Sequence, residues 1–464
     1  MAKENTTVRP FGMRDKIGYA MGDFGNDFTF ILASSFMLKF YTDVMGVSAA
    51  LVGTLMMLAR FVDAFTDTMM GQIVDRSQPT KEGRFIPWIR RFMGPVALAS
   101  FLLYASWFRD MPMAFKIFWM FFTYLLWGSV CYTGVNIPYG SMASAITADP
   151  DERTQLSSWR NIGATLAGTV ISVVLPMVVY YTDAEGHTQL SGTKMSIAAL
   201  VCSIGAVICY LLCVTLSTER VKIPTKTEKF SFVALLKQLG SSRALITIII
   251  AAILLLLTQL TMQGMNTYIY PNYFNNAAGA SIAGLVASLV ALVLAFILPN
   301  FTKKFGKKEI AAVGTFFSAI IFFIAYFMHT DNMYTYIAIY MLGYVGLCCF
   351  NVLCWAMIID VIDDDEVRQG KRSDGAIYSV YSFARKLGQA FSSGLTGALL
   401  TAIGYTAETA FDPAVTDGIY NIATLIPAIG YVALGLVLLF AYPLSKKKVD
   451  ENSHILAERR EGKK

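Results

Sequence analysis

The sequence predicts an all-α integral membrane protein with about twelve transmembrane helices, and three observations carry that reading. First, 464 residues that are 55% apolar and 15% charged, with a mean hydropathy of +0.52, hold too little charge for a soluble globule, in which about a quarter of residues are charged. Second, uncharged stretches longer than about 20 residues recur along the chain, each able to cross a hydrocarbon core about 30 Å thick. Third, the Lys and Arg residues are concentrated in alternate connections. The same composition excludes disorder. Seven Cys scattered through apolar runs without a C-x-x-C pair exclude a disulfide-stapled secreted domain and read as small packing residues.

Taken in order, the apolar runs place spans near 15–40, 48–75, 92–108, 117–148, 155–181, 195–216, 244–274, 281–302, 309–329, 333–362, 374–403 and 418–442. On this count about thirty of the 38 Lys and Arg lie at the N-terminus, in the connections 76–91, 153, 220–243, 303–308 and 368–372, and in the C-terminal tail. Only Arg109, Lys116 and Lys194 fall on the other side. The positive-inside rule therefore puts both termini in the cytoplasm, and a net charge of +6 distributed in this way is topology rather than a nucleic-acid footprint. Residues 1–16 are polar and run into a full-length span, so no cleavable signal peptide is expected.

The longest polar connection divides the chain into an N-terminal six-helix bundle at 1–216, an inter-bundle cytoplasmic loop at 217–243, a C-terminal six-helix bundle at 244–442 and a basic cytoplasmic tail at 443–464. Two echoes link the halves. Gly71-Gln72-Ile73-Val74-Asp75-Arg76 with Gly83-Arg84 after span two is echoed by Lys303-Lys304-Phe305-Gly306-Lys307-Lys308 after span eight, and Arg160-Asn161-Ile162-Gly163 by Arg385-Lys386-Leu387-Gly388. Both recur six spans apart, as a parallel repeat of two bundles predicts.

Charges inside spans point to function, because each costs about 2.5–3.5 kcal/mol on insertion scales. They are Asp27 in span one, Asp63 and Asp67 in span two with Arg60 a turn earlier, Arg160 in span five, and Arg385 and Lys386 in span eleven. Asp27, Asp63, Asn136 and Lys386 each lie twelve or thirteen residues from an acidic residue at a cytoplasmic helix end (Asp15, Asp75, Asp149, Asp374). At 1.5 Å per residue that is about 18 Å, near the bilayer midplane. Four helices thus bring polar groups to one level.

Asp63 and Asp67 are four apart and share one helix face. Such a pair is stable if a small cation lies between the carboxylates, if one is protonated, or if Lys386 or Arg60 pairs with them. The three His (His187, His329, His454) lie in loops or at helix ends, so coupling would rest on carboxylates. Tyr132, Asn136 and Tyr139 on span four, Trp159 beside Arg160, and Tyr378, Tyr381 and Ser382 near Lys386 supply the flat apolar faces and hydrogen-bonding groups that suit a sugar. Pro138 follows Asn136-Ile137 and releases a backbone carbonyl, which in a membrane helix often faces a polar cavity. No His/Cys metal cluster, G-x-S-x-G or phosphate-binding Gly-rich loop supports an enzyme acting on lipid.

At these residues the chain resembles the glycoside-pentoside-hexuronide:cation symporters of the major facilitator superfamily, typified by melibiose permease and glucuronide permeases. The resemblance spans nearly the whole chain and is strongest at Phe40 to Val44, Leu51 to Leu55, Ala59 to Asp67, Cys131 to Ser141, Asp360 to Glu366 and Tyr378 to Gln389. It implies the major facilitator fold, a cation site at Asp63, Asp67 and Thr133, and a sugar site at Asp27, Tyr132, Asn136, Arg160, Ser382 and Lys386. Asn136 and Gly140 stand where melibiose permease has Asp and Trp, and Asn351 where it has Trp. Those departures look like glucuronide permeases, whereas Asp27 is retained as in melibiose permease.

The expectation is an inner-membrane secondary transporter that imports a glycoside or hexuronide with Na⁺, Li⁺ or H⁺ by alternating access. It needs no cofactor, binds no nucleic acid and acts as a monomer. Asp75, Arg153, Asp360, Asp363 and Glu366 are the expected closing salt-bridge residues of the cytoplasmic gate. A cation-coupled lipid carrier of the same superfamily is the rival reading, with a membrane sensor or enzyme behind it.

Overall fold

The computed structural model describes residues 9–221, 242–370 and 374–460. Most of the expected inter-bundle loop, the end of the basic connection 368–372 and the last four residues of the tail lie outside the described residues. Twelve long helices are present among the described residues: α1 (Met13–Asp43), α2 (Ala49–Arg76), α3 (Ile86–Leu102), α4 (Met113–Ile146), α5 (Pro150–Val179), α6 (Gly192–Leu216), α7 (Arg243–Tyr273), α8 (Ala278–Phe305), α9 (Lys307–Met328), α10 (Met333–Gln369), α11 (Asp374–Ala402) and α12 (Pro413–Ala441). Nine of them meet a simple length-and-apolarity criterion for spanning a membrane; α1, α3 and α11 do not. Two of those three exceptions, α1 and α11, carry intramembrane charges, Asp27 on the first and Arg385 and Lys386 on the second.

The chain groups into two compact units, one of Met1–Val47, Phe61–Tyr181 and Leu190–Glu228, the other of Ser48–Arg60, Thr182–Gln189 and Lys229–Lys464. Their internal packing follows one scheme. In the first, α1 packs against α5 and α6, and α3 against α4 and α6. In the second, α7 packs against α11 and α12, and α9 against α10 and α12, each helix six positions later. The repeated glycines of the sequence echo sit at equivalent crossings: a Cβ on Gly163 would stand 2.2 Å from the Ala20 carbonyl oxygen of α1, and one on Gly388 3.2 Å from that of Ile253 on α7. A side chain there would force the helices apart, so both positions are fixed by close backbone approach.

Three departures from the sequence expectation have local causes. Helix α3 begins at Ile86, six residues before its expected start, because Glu219 accepts hydrogen bonds from the amides of Arg84, Phe85 and Ile86 at 2.7, 2.8 and 2.8 Å. These are donors that a helix N-terminus leaves without partners, and Pro87 follows in the first turn. The apolar residues at 106–108 form a short turn instead of the end of that helix. Second, the chain between α5 and α6 makes an unanticipated hairpin of β1 (Tyr180–Thr182) and β2 (Thr188–Leu190). Third, the tail folds into α13 (Lys446–Arg460), whose Asn452 donates to Asp364 at 3.0 Å and whose Arg459 donates to the Glu366 and Val367 carbonyls at the end of α10.

The N-terminal end of α1 in the first unit is tied by fully buried Asp15. Its carboxylate meets Arg9 at 2.9 Å, Arg220 at 2.9 Å and the Thr218 amide at 3.1 Å. Arg220 and Glu219, side by side, thereby fasten the start of the inter-bundle connection to α1 and α3. Burial pushes the Glu219 carboxyl up, and the three amide donors work against that shift. Gly83, at φ 115°, leaves room for the arrangement, since a Cβ there would lie 2.3 Å from the Glu219 carboxyl carbon. Gly83→Ala should therefore lower the thermal midpoint of the purified protein, with about 1–2 kcal/mol of backbone strain alone. An unchanged melting curve would show that the loop can reroute.

Candidate cation and substrate site

The first unit holds the densest polar cluster, and it starts from α2 and α4. Asp63, on α2, is buried, and Ser129 donates to its Oδ1 at 2.5 Å. One turn later Thr133 donates to Asp67 Oδ1 at 2.6 Å. Both rungs span the same sequence separation of 66 residues, so a four-residue step on α2 meets a four-residue step on α4. Locally α4 widens into π-type turns over Leu126–Tyr132, a feature that in helices often marks functional sites. Gly128 lies in these turns, and a Cβ on it would come within 3.4 Å of Asp63 Oδ1. The Thr133 hydroxyl is also 3.2 Å from the Gly128 carbonyl oxygen. The structure thus places Asp63, Asp67 and Thr133 together and adds Ser129 and Gly128, which the sequence reading missed.

A second cluster joins α1, α4, α5 and α6. Arg160 Nε donates to Asp23 Oδ1 at 3.1 Å, with the Asp23 side chain 10% exposed. The guanidinium also lies over the Tyr139 ring, 5.6 Å from its centroid. Tyr139 stacks on Tyr19 at 4.7 Å and donates its hydroxyl to the Tyr19 carbonyl at 2.6 Å. Asn26 links the group to the neighbouring helices by donating to Asn136 at 3.4 Å and accepting from Tyr210 at 2.8 Å. Asp23, which the sequence reading did not single out, is thus the partner of Arg160. Asp27, one turn along α1 from Asp23, is half-buried. Tyr132 has its ring 5.8 Å from that of Phe30 and 5.5 Å from that of Trp127.

In the second unit, Ser382 and Lys386 are half-buried on α11. Their neighbour Arg385 lies over the rings of Trp355 at 5.2 Å and Tyr381 at 5.9 Å. The side chain of Tyr378 lies outside the described residues. Two of the expected gate residues bond inside their own units. Arg153 donates to the Thr147 carbonyl at 2.9 Å, closing the turn that starts its own helix. Asp360 pairs with Lys307 at 2.6 Å. Asp75 and Asp363 are half-buried at the same ends of α2 and α10, where the Glu366 carbonyl accepts from Arg459 at 3.2 Å.

Comparison with known proteins fixes the family. A family model described as MFS/sugar transport protein matches residues 18–446. The chain belongs to this family. Among curated relatives of this MFS/sugar transport protein are the isoprimeverose transporter of Lactiplantibacillus pentosus, 30% identical with 92% of this chain and 88% of the relative aligned, and the glucuronide carrier protein homolog of Escherichia coli (strain K12), 29% identical over 94% of each chain. The crystal structure of a mutant of the nucleoside transporter NupG is similar in fold, with a TM-score of 0.66 at 13% identity over 92% of this chain and all of that one. The family member described here is accordingly a multi-pass membrane transporter of the major facilitator superfamily.

The Asp23–Arg160 pair yields a direct test. Removing one partner leaves the other charge uncompensated in a low-dielectric setting, whereas removing both does not. Arg160→Gln should destabilise the protein more than Asp23→Asn/Arg160→Gln, with a coupling of about 0.5–3 kcal/mol in a double-mutant cycle. Additive melting shifts would show that the two charges are screened from each other.

Proposed function

We propose that the chain carries a glycoside or hexuronide sugar together with a monovalent cation, the cation's gradient driving accumulation. The observation that carries this reading is the pair of rungs Asp63–Ser129 and Asp67–Thr133, an all-oxygen group of two carboxylates, two hydroxyls and the Gly128 carbonyl held on membrane helices. Hard oxygen donors suit Na⁺ or Li⁺, and the same carboxylates can take a proton.

Thr133 gives the site a local switch. Its hydroxyl has one proton and two acceptors in reach, Asp67 and the Gly128 carbonyl. With a cation beside Asp67, the hydroxyl would turn its proton to Gly128 and a lone pair to the ion. The cation thus replaces the hydrogen bond from Thr133 to Asp67.

For the sugar, support comes from the α1–α4–α5 cluster and from relatives whose names include glucuronide and isoprimeverose carriers. Asp27 is the acceptor for sugar hydroxyls and Asn136 the amide that can both donate and accept. Because Arg160 is engaged by Asp23, a sugar carboxylate would have to displace Asp23 from it.

Two outcomes test the division of labour. Uptake of labelled glucosides and glucuronides into vesicles, with Na⁺, Li⁺ or H⁺ gradients, should show cation-driven accumulation, and Asp63→Asn or Asp67→Asn should abolish it while exchange persists. One charge moving through 100 mV releases about 2.3 kcal/mol, roughly fifty-fold accumulation. Thr133→Ser should keep coupling, and Thr133→Val should impair it. Full accumulation in both carboxylate variants would overturn the cation site.

The second outcome concerns Asp27. Each charge-assisted hydrogen bond lost with it removes about 1.5–3 kcal/mol, or roughly ten- to a hundredfold in sugar affinity. Asp27→Asn should therefore abolish calorimetric sugar binding and leave cation binding without sugar intact. Loss of both would place Asp27 in the cation site.

A further inference from the structure

On the side opposite the Lys- and Arg-rich connections, the described loops and helix ends hold Lys39, which pairs with Asp43 at 2.8 Å, and three further cationic side chains, and two of these three are tied to backbone. Lys116 donates to the carbonyls of Met45 at 2.8 Å and Arg109 at 2.9 Å, and Lys194 to that of Tyr180 at 3.2 Å. The third, Arg109, faces the neighbouring Asp110, Nε to Oδ2 3.6 Å, with the two side chains 64% and 89% exposed. This short zwitterionic pair stands at the rim of a cleft of about 490 Å³ between the end of α3, the 106–108 turn and the start of α6. That volume lies within the range of small-molecule sites.

The walls of the cleft combine polar and apolar side chains: Thr193 and Ser196 stand with Phe101, Ile197 and Leu200, and half-exposed Trp107. Ser196 fixes the turn to α6 by donating to the Tyr104 carbonyl and bonding Ser106 Oγ at 2.8 Å, so the cleft is built rather than incidental. From the cleft a stripe of exposed side chains, Ile197, Val201, Ile204 and Ile208, runs along one face of α6 at spacings of four, three and four. Residues 193–197 lie in the first turns of a spanning helix, about 2–8 Å from its end, which is headgroup depth. Trp107 occupies the level at which Trp favours the membrane boundary.

The geometry points to a binding site for one phospholipid with a primary-amine headgroup, in the leaflet facing away from the basic loops. Arg109 takes the phosphate, Asp110 accepts hydrogen bonds from the ammonium, and one acyl chain lies along the α6 stripe. Charge complementarity selects this occupant: the anionic phosphate and the cationic amine of ethanolamine match the rim in sign and order, and a choline headgroup offers Asp110 no N–H donor. Acyl chains distinguish it from soluble phosphate, for which the stripe would serve no purpose. The site is separate from the cation and sugar clusters and stands whether or not that functional reading holds.

Native mass spectrometry of the purified full-length protein, titrated with phosphatidylethanolamine, phosphatidylcholine or phosphatidylglycerol, tests it. Phosphatidylethanolamine should be held about tenfold more tightly than phosphatidylcholine; Arg109→Gln should remove about tenfold of that affinity, and Asp110→Asn should erase the preference. Both side chains are exposed, so neither change threatens folding. In reconstituted vesicles, brominated phosphatidylethanolamine should quench wild-type fluorescence more than brominated phosphatidylcholine, and Trp107→Phe should abolish the difference. Equal retention of the two lipids, an undiminished preference in both variants, or displacement by glycerophosphoethanolamine or inorganic phosphate at equal concentration would overturn the proposal.

Discussion

Hydrocarbon does not solvate charge, and that constraint organises the interior of the protein. Each polar group carried into a span must find a partner from another helix, because an orphaned group costs several kcal/mol. Asp63 finds Ser129, Asp67 finds Thr133, Asp23 finds Arg160 and Asn26 finds Tyr210. These bonds set which faces of α1, α2, α4, α5 and α6 turn toward each other. Apolar packing alone would leave the rotation of such helices weakly specified, since lipid is as apolar as a neighbouring Leu.

Close backbone approach fixes what hydrogen bonds do not. Gly163 against Ala20 in the first unit and Gly388 beside Ile253 in the second bring the fifth helix of each half onto the first. At those crossings dispersion forces act between backbones, and no side chain could fill the space without separating them. The polar group that each echo carries is delivered by a crossing whose geometry is set by its own glycine, three residues away in both halves.

The sequence made the helix count, the halves and the acidic pair of α2 legible, because hydropathy and fixed spacing are local signals. Asp23 was missed because it lies one turn closer to the helix end than Asp27, where spacing alone does not separate a buried acid from boundary charge. Only the tertiary fold shows that it meets Arg160 across 137 residues. Ser129 carried no signal of its own, being one hydroxyl among many; knowing that α2 and α4 run side by side, its four-residue spacing to Thr133 would have singled it out. The early start of α3 was illegible for a related reason, since its cap comes from Glu219, more than 130 residues away.

The two rungs between α2 and α4 also act as a key. Sliding α2 by one turn, about 5.4 Å, in one direction would set Asp67 beside Ile137, and in the other Asp63 beside Leu125. Either slip keeps one hydroxyl bond and strands one carboxylate against an aliphatic side chain. The polar match therefore admits a single register, so that whatever rigid-body motion accompanies transport, these two helices must travel through it as one indexed piece.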